Sequence, residues 1–213
     1  MVKLRELSRD EEVANAVLHG VGLGLAVAAL VVLVVFAVNY GGGKHVAAFS
    51  IYGVTLVLLY LASTLYHIFP RGKVKDIFRI LDHSCVYLLI AGTYTPLALI
   101  GLQGALGWAI FGVVWGIALM GIVYKIFWIK KYIVLSTLLY IAMGWLILVA
   151  IKPLIGNVNT TSLVFLGAGG LAYTLGTIFY GLQRLKYNHA VWHLFVLGGS
   201  ICHFFMVLYL LPR

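Results

Sequence analysis

The chain has 213 residues, of which 63% are hydrophobic and only 10% charged, with a mean hydropathy of +1.06. Soluble domains carry roughly 25% charged residues, so this composition excludes a water-soluble protein. The net charge of +9 would suggest nucleic acid in a soluble chain, but here the basic residues sit between apolar runs and read as topology signals, with no nucleic-acid partner.

A helix needs about 20 apolar residues to cross a bilayer. Windows free of Asp, Glu, Lys and Arg run over 13–43, 45–70, 83–124, 132–151, 153–183 and 187–212. Five hold one span each; the window from His83 to Tyr124 holds two, divided around Gly101, Gln103, Gly104 and Gly107. Backbone groups in lipid must be satisfied internally. The expectation is therefore an all-α bundle in a single membrane domain, residues 1–213, with seven spans near 13–38, 45–68, 81–100, 104–124, 132–151, 161–183 and 189–211. The charged first twelve residues do not suit a cleaved signal peptide, so the first span is expected to stay.

The first span opens with Glu12, Asn15 and His19, which share one helical face at spacings of three and four. Glu12, with Asp10 and Glu11, also suits the positive end of the helix dipole. Gly20 with Gly24, and later Gly112 with Gly116, provide small-residue faces for packing within the bundle. Ser63 and His67 close the second span. Asp82 and His83 open the third, which ends in Thr93, Tyr94, Thr95 and Pro96; there the proline kinks the helix and hydroxyls satisfy freed carbonyls. Trp108, Trp115, Trp128, Trp145 and Trp192 read as interface and packing aromatics. Cys85 and Cys202 lie at different depths in apolar stretches and read as packing residues rather than a disulfide. His189 and His193, four apart, open the seventh span.

With alternating loops, Lys3, Arg5, Arg9, Arg71, Lys73, Lys75, Arg79, Lys125, Lys130, Lys131, Arg184 and Lys186 fall on one side. Lys44, Lys152 and Arg213 fall on the other. This bias predicts a cytoplasmic amino terminus and an external carboxyl terminus. The polar groups of spans one, two, three and seven then converge at the cytoplasmic side. His45, in an external loop, and His203, about 15 Å beyond His193 along its helix, stand apart.

Ionisable side chains at the centre of a span cost about 2.5–3.5 kcal/mol on insertion scales, so such convergence marks a site. Two imidazoles at i and i+4 present nitrogens to one point, the geometry that the HExxH motif uses for zinc, and His67 is the third ligand at the right depth. Three histidines leave a fourth position for water. Asp82 would hold or deprotonate that water, Ser63 would donate a hydrogen bond nearby, and Glu12, Asn15 and His19 would support the ligands. By itself the pair reads first as interfacial or hydrogen-bonded histidines; with three helices each contributing His or Asp at one depth, that reading and the metal site stand equal.

The stretches EEVANAVLHG from Glu11, STLYHIFP from Ser63, LDHSCVYLLIAGTYTP from Leu81 and HAVWHLFVLGGSICHFF from His189 resemble the hemolysin III family. That family lies within the superfamily of progestin and adipoQ receptors and alkaline ceramidases. The resemblance implies zinc held by His67, His189 and His193 near the cytoplasmic side, with Asp82 and Ser63 beside it. It also implies a multi-pass protein of the bacterial plasma membrane. The chemistry implied is a zinc-dependent hydrolase acting on a lipid, ceramide-like amide or related, with membrane lipid as substrate or ligand entering laterally. The hemolysin name implies an alternative: a non-enzymatic lytic or lipid-homeostasis protein with structural zinc. Polar residues that cluster at one end favour a site over a channel. The long amino-terminal region of the adiponectin receptors has no counterpart here, so hormone reception is not carried over. The seventh span has no lysine for a retinal Schiff base.

Overall fold

The computed structural model describes residues 5–129, 131 and 133–212. The topology signals Lys3, Lys130 and Arg213, and position 132 at the expected start of the fifth span, lie outside the described residues. Among those described, seven helical segments are long and apolar enough to cross a membrane. They begin with α1 (Arg9–Tyr40), α2 (Gly43–Ile68), α3 (Lys73–Pro96) continued by a π-helical turn over Leu97–Leu102, and α4 (Gly104–Trp128). The fifth span joins α5 (Ile133–Gly144), a 3₁₀ stretch (Trp145–Ala150) and α6 (Ile151–Asn157); α7 (Thr160–Gly181) and α8 (Asn188–Leu208) complete the bundle. The outer surface is apolar, with Val17, Val31, Phe127 and Val149 exposed, as lipid contact requires.

Helix boundaries follow local chemistry. Ser8 and Glu11 form a reciprocal capping box at the head of α1, satisfying two of its free N–H groups. Gln103 and Gly104 take positive φ values of 58° and 55°, which turns the chain between the third and fourth spans. α3 starts at Lys73, two turns before the expected 81, because Lys73, Lys75, Asp76 and Arg79 continue the helix beyond its apolar part. These charges are therefore carried on a helix rather than in a loop.

Pro96 precedes the π-helical turn, and the hydroxyls of Thr93 and Thr95 donate to the carbonyls of Leu89 and Ala91 at 2.8 and 2.9 Å. Tyr94 does something else. Its hydroxyl lies 3.0 and 2.9 Å from the carbonyls of Met143 and Gly144 and accepts the Ile147 N–H at 2.7 Å. An α-helical ladder is interrupted at this point, and the fifth span becomes 3₁₀ from Trp145.

α1 packs on α2 and α8, α2 on α3, α3 on α4, and α7 on α8, whereas the fifth span meets mainly α3 and α7. The α2–α3 contact is close at Gly92, where an added Cβ would lie 2.0 Å from Thr55 Oγ1. Gly92→Ala is expected to destabilise the purified protein by about 1–3 kcal/mol through overpacking. A lowered thermal midpoint in detergent, partly restored by adding Thr55→Gly, would show it; an unchanged midpoint would refute it.

Candidate metal centre

Two helices bring three imidazoles together. His67 is on the last turn of α2, and His189 and His193 occupy one face of the first turns of α8. Ring centroids are 5.2 Å apart for His67–His189, 5.1 Å for His67–His193 and 4.5 Å for His189–His193. One nitrogen from each ring lies within 4.8 Å of the others. His67 Nε2, His189 Nε2 and His193 Nδ1 are buried without a hydrogen-bond partner among the described residues. Buried lone pairs left unmatched are unfavourable, and a metal ion is the partner that accepts all three. A tetrahedral set with bonds of about 2.0–2.1 Å puts nitrogens about 3.3 Å apart, so small ring rotations complete the convergence. The donor set fits a metal ion.

Two adjacent carboxylates on α1 hold this cluster in place. Glu12 Oε2 accepts the His67 Nδ1–H at 2.7 Å, which leaves Nε2 with its lone pair toward the other histidines. Glu12 Oε1 pairs with Lys75 Nζ of α3 at 3.0 Å, and Lys75 also donates to the terminal carbonyls of Tyr66 and Phe69 on α2 at 2.8 and 3.2 Å. Glu11 points elsewhere. It accepts the Tyr187 N–H at 2.8 Å and pairs with Arg5, fixing the residue that precedes α8. Tyr187 has a φ of 58°, a left-handed conformation uncommon for a residue with a side chain, and this bond anchors it.

Asn15 and His19 follow Glu12 on the same α1 face and are buried, with their polar side-chain atoms unpartnered among the described residues. His19 stacks on His193 at a centroid distance of 3.5 Å. Ser63 Oγ is buried beside Asp82, one turn before His67. Asp82, Ser63, His19, His189 and His193 line a cavity of about 370 Å³, whose remaining wall is largely apolar and includes Leu89, Leu97, Ile147 and Leu148. This volume lies at the lower end of the usual range for small-molecule sites. His45 lies on α2 near its opposite end. His203, set apart in the sequence, reaches the deep end of this cavity next to Tyr173.

Four neighbours of the site escape sequence reasoning. Glu11 reads as a dipole charge, and Lys75 and Lys125 read as loop charges, yet Lys125 is 2% exposed on α4 and lines the cavity. Tyr140 of α5 donates to the His83 carbonyl at 2.7 Å. Lys125 directly follows a charge-free window and is itself followed by the apolar run Ile126 to Ile129, the signal that could have revealed it.

Seven apolar spans around a largely apolar pocket with a polar end define a multi-pass membrane protein whose three-histidine cluster can hold a metal ion. The pattern of the family described as "Haemolysin-III related" matches residues 7–204, and the chain belongs to that family. It is 52% identical over 203 residues to "Hemolysin-3" of Bacillus cereus, covering 95% of this chain and 93% of that one. It is 50% identical over 199 residues to "Hemolysin-3 homolog" of Bacillus subtilis (strain 168), covering 93% of each. The human "Monocyte to macrophage differentiation factor" is 31% identical over 163 residues, 74% of this chain and 67% of the relative, consistent with the progestin and adipoQ receptor superfamily. With its bacterial relatives, the chain is an integral protein of the plasma membrane.

Purified protein is expected to bind close to one metal ion per chain by elemental analysis. His67→Ala, His189→Ala and His193→Ala should each abolish binding, and His45→Ala should leave it intact. Glu12→Gln, which weakens support of His67, should lower metal affinity by about 10 to 100-fold. Full occupancy in two of the three histidine variants would rule out the assignment.

Proposed function

We propose that the protein is a zinc-dependent intramembrane hydrolase acting on a lipid, with a ceramide-like amide or related bond as the target. The observation that carries this reading is the convergence of three imidazoles, two of which, His189 and His193, line the polar end of a largely apolar cavity together with Asp82. Zinc suits an all-imidazole set, and three protein ligands leave a coordination position open. When bound, zinc supplies Lewis acidity that brings the pKa of a water toward about 7.

The chain's own residues supply the rest. His67, His189 and His193 hold the metal, with Glu12 orienting His67 through Nδ1. Asp82 takes a proton from the attacking water and returns it to the leaving group. Ser63 steadies the Asp82 carboxyl or the substrate carbonyl by hydrogen bonding. The apolar wall receives the acyl chain, and the sparsely packed fifth span gives lipid a lateral way in. The site-bearing end is proposed to face the cytoplasm, as the bias of basic residues indicates.

The name of the Bacillus cereus relative, "Hemolysin-3", supports a second reading, a lytic or lipid-homeostasis protein in which the metal is structural. Asp82→Asn separates the two. A carboxylate acting as general base contributes about 10² to 10⁴ in rate without being a ligand. The variant should therefore retain zinc and lose most hydrolysis of a ceramide and phospholipid panel. Equal hydrolysis by wild type and zinc-loaded Asp82→Asn, or none by wild type, favours the structural reading. For orientation, single cysteines at positions 73 and 157 can be probed with an impermeant thiol reagent on intact cells. Position 157 is expected to react and 73 to be protected; the reverse pattern inverts the topology.

A further inference from the structure

Lys125 is the least expected charge in the bundle. A lysine near a helix end ordinarily extends its ammonium to the membrane surface, but Lys125 is 2% exposed and turns into the cavity. Its ammonium sits 5.5 Å from the centroid of the Tyr140 ring. Tyr140 is itself tied to the His83 carbonyl. Arg79 and His83 are four apart on α3, and both lie within electrostatic reach of Lys125. His83 lines the cavity beside Lys125, and Arg79 Nε, one turn earlier, is buried without a hydrogen-bond partner among the described residues.

Cations in such a place need an anion. Uncompensated charge is strongly disfavoured away from water, and among the described residues the ion pairs are Arg5–Glu11, His67–Glu12, Arg71–Glu6 and Lys75–Glu12. Neither Lys125 nor Arg79 is in one. Asp82 is the carboxylate within electrostatic reach of Lys125, and it balances at most one positive charge.

We propose that Lys125, Arg79 and His83 form a head-group subsite for the phosphate of a single-chain lipid whose tail occupies the apolar cavity. A phosphate monoester has three terminal acceptor oxygens, which matches donors arriving from α4 and from two turns of α3. A carboxylate offers two oxygens and leaves one donor unmatched. A cavity of about 370 Å³ suits one chain rather than two. The assignment rests on the reading of this cavity as a lipid site and narrows that reading from a two-chain ceramide to a single-chain lipid phosphate.

The test is binding to the purified full chain in micelles of a neutral detergent, which needs no turnover. The probes are lysophosphatidate, a fatty acid of the same chain length, a short-chain ceramide and inorganic phosphate. Lysophosphatidate is expected to bind tightest. Lys125→Met should weaken it about tenfold or more, as loss of a buried charge partner does; Lys125→Arg should retain most of the affinity, and ceramide binding should not change. Arg79→Gln provides an independent variant with the same expected direction. Unchanged lysophosphatidate binding in both neutral variants overturns the proposal. So does an equal loss for all lipids, which would mark a structural role. Fatty acid bound as tightly as lysophosphatidate would make this a carboxylate site, and inorganic phosphate bound as tightly would make it a free-anion site; either result overturns the lipid-phosphate assignment. Absence of hydrolysis in the wild type would defeat the hydrolase reading and leave this binding result standing.

Discussion

The arrangement of the pocket depends on two neighbouring carboxylates in a medium of low dielectric. Glu11 and Glu12 are about 100° apart around α1, so each reaches a different partner. Glu12 spans from α1 to His67 on α2 and Lys75 on α3, and Glu11 reaches the backbone entering α8. Four helices are thereby joined at the end where the imidazoles meet. Hydrogen bonds and ion pairs are stronger there than in water, and half-satisfied ones are more unfavourable. That asymmetry explains why the histidines are held by α1, which contributes none of the three clustered rings.

From that end the interior grades from charged to apolar. Beyond the histidines, the hydroxyls of Tyr60 and Tyr173 meet Ser200 Oγ at 2.9 and 2.8 Å, so α2, α7 and α8 share one buried polar contact. His19 is packed edge-on against Tyr60 and stacked on His193. Leucines and isoleucines of α3 and the fifth span form the opposite wall. A ligand entering this space meets hydrocarbon along most of its length and charge at one end, which is the polarity profile of an amphiphile.

Much of this was legible in the sequence because the bilayer imposes simple rules. Charge-free windows mark the spans, and their alternation brings Ser63, His67, Asp82, His189 and His193 to one end. Helical spacing placed Glu12, Asn15 and His19 together, and the structure sets all three against the cluster. What stayed hidden has a common cause: the role of a charge at the edge of a span depends on which way its helix faces. Lys75, Arg79 and Lys125 have the composition of loop residues, yet an extended α3 carries Lys75 to Glu12 and buries the Arg79 Nε, and α4 buries Lys125. The break in the fifth span was equally invisible, since its cause, the Tyr94 hydroxyl, lies about 50 residues away in the chain.

That single phenol occupies three backbone groups of the fifth span, whose other neighbours are sparse. A segment secured chiefly at one height, with few other protein neighbours, is the part of the wall most open to influence from the membrane. On the proposed lateral entry, the surrounding bilayer, through its thickness and lateral pressure, would help set how far this segment stands from α7. The capacity of the pocket becomes a shared property of protein and membrane, so the same chain in a stiffer lipid phase would present a narrower gate.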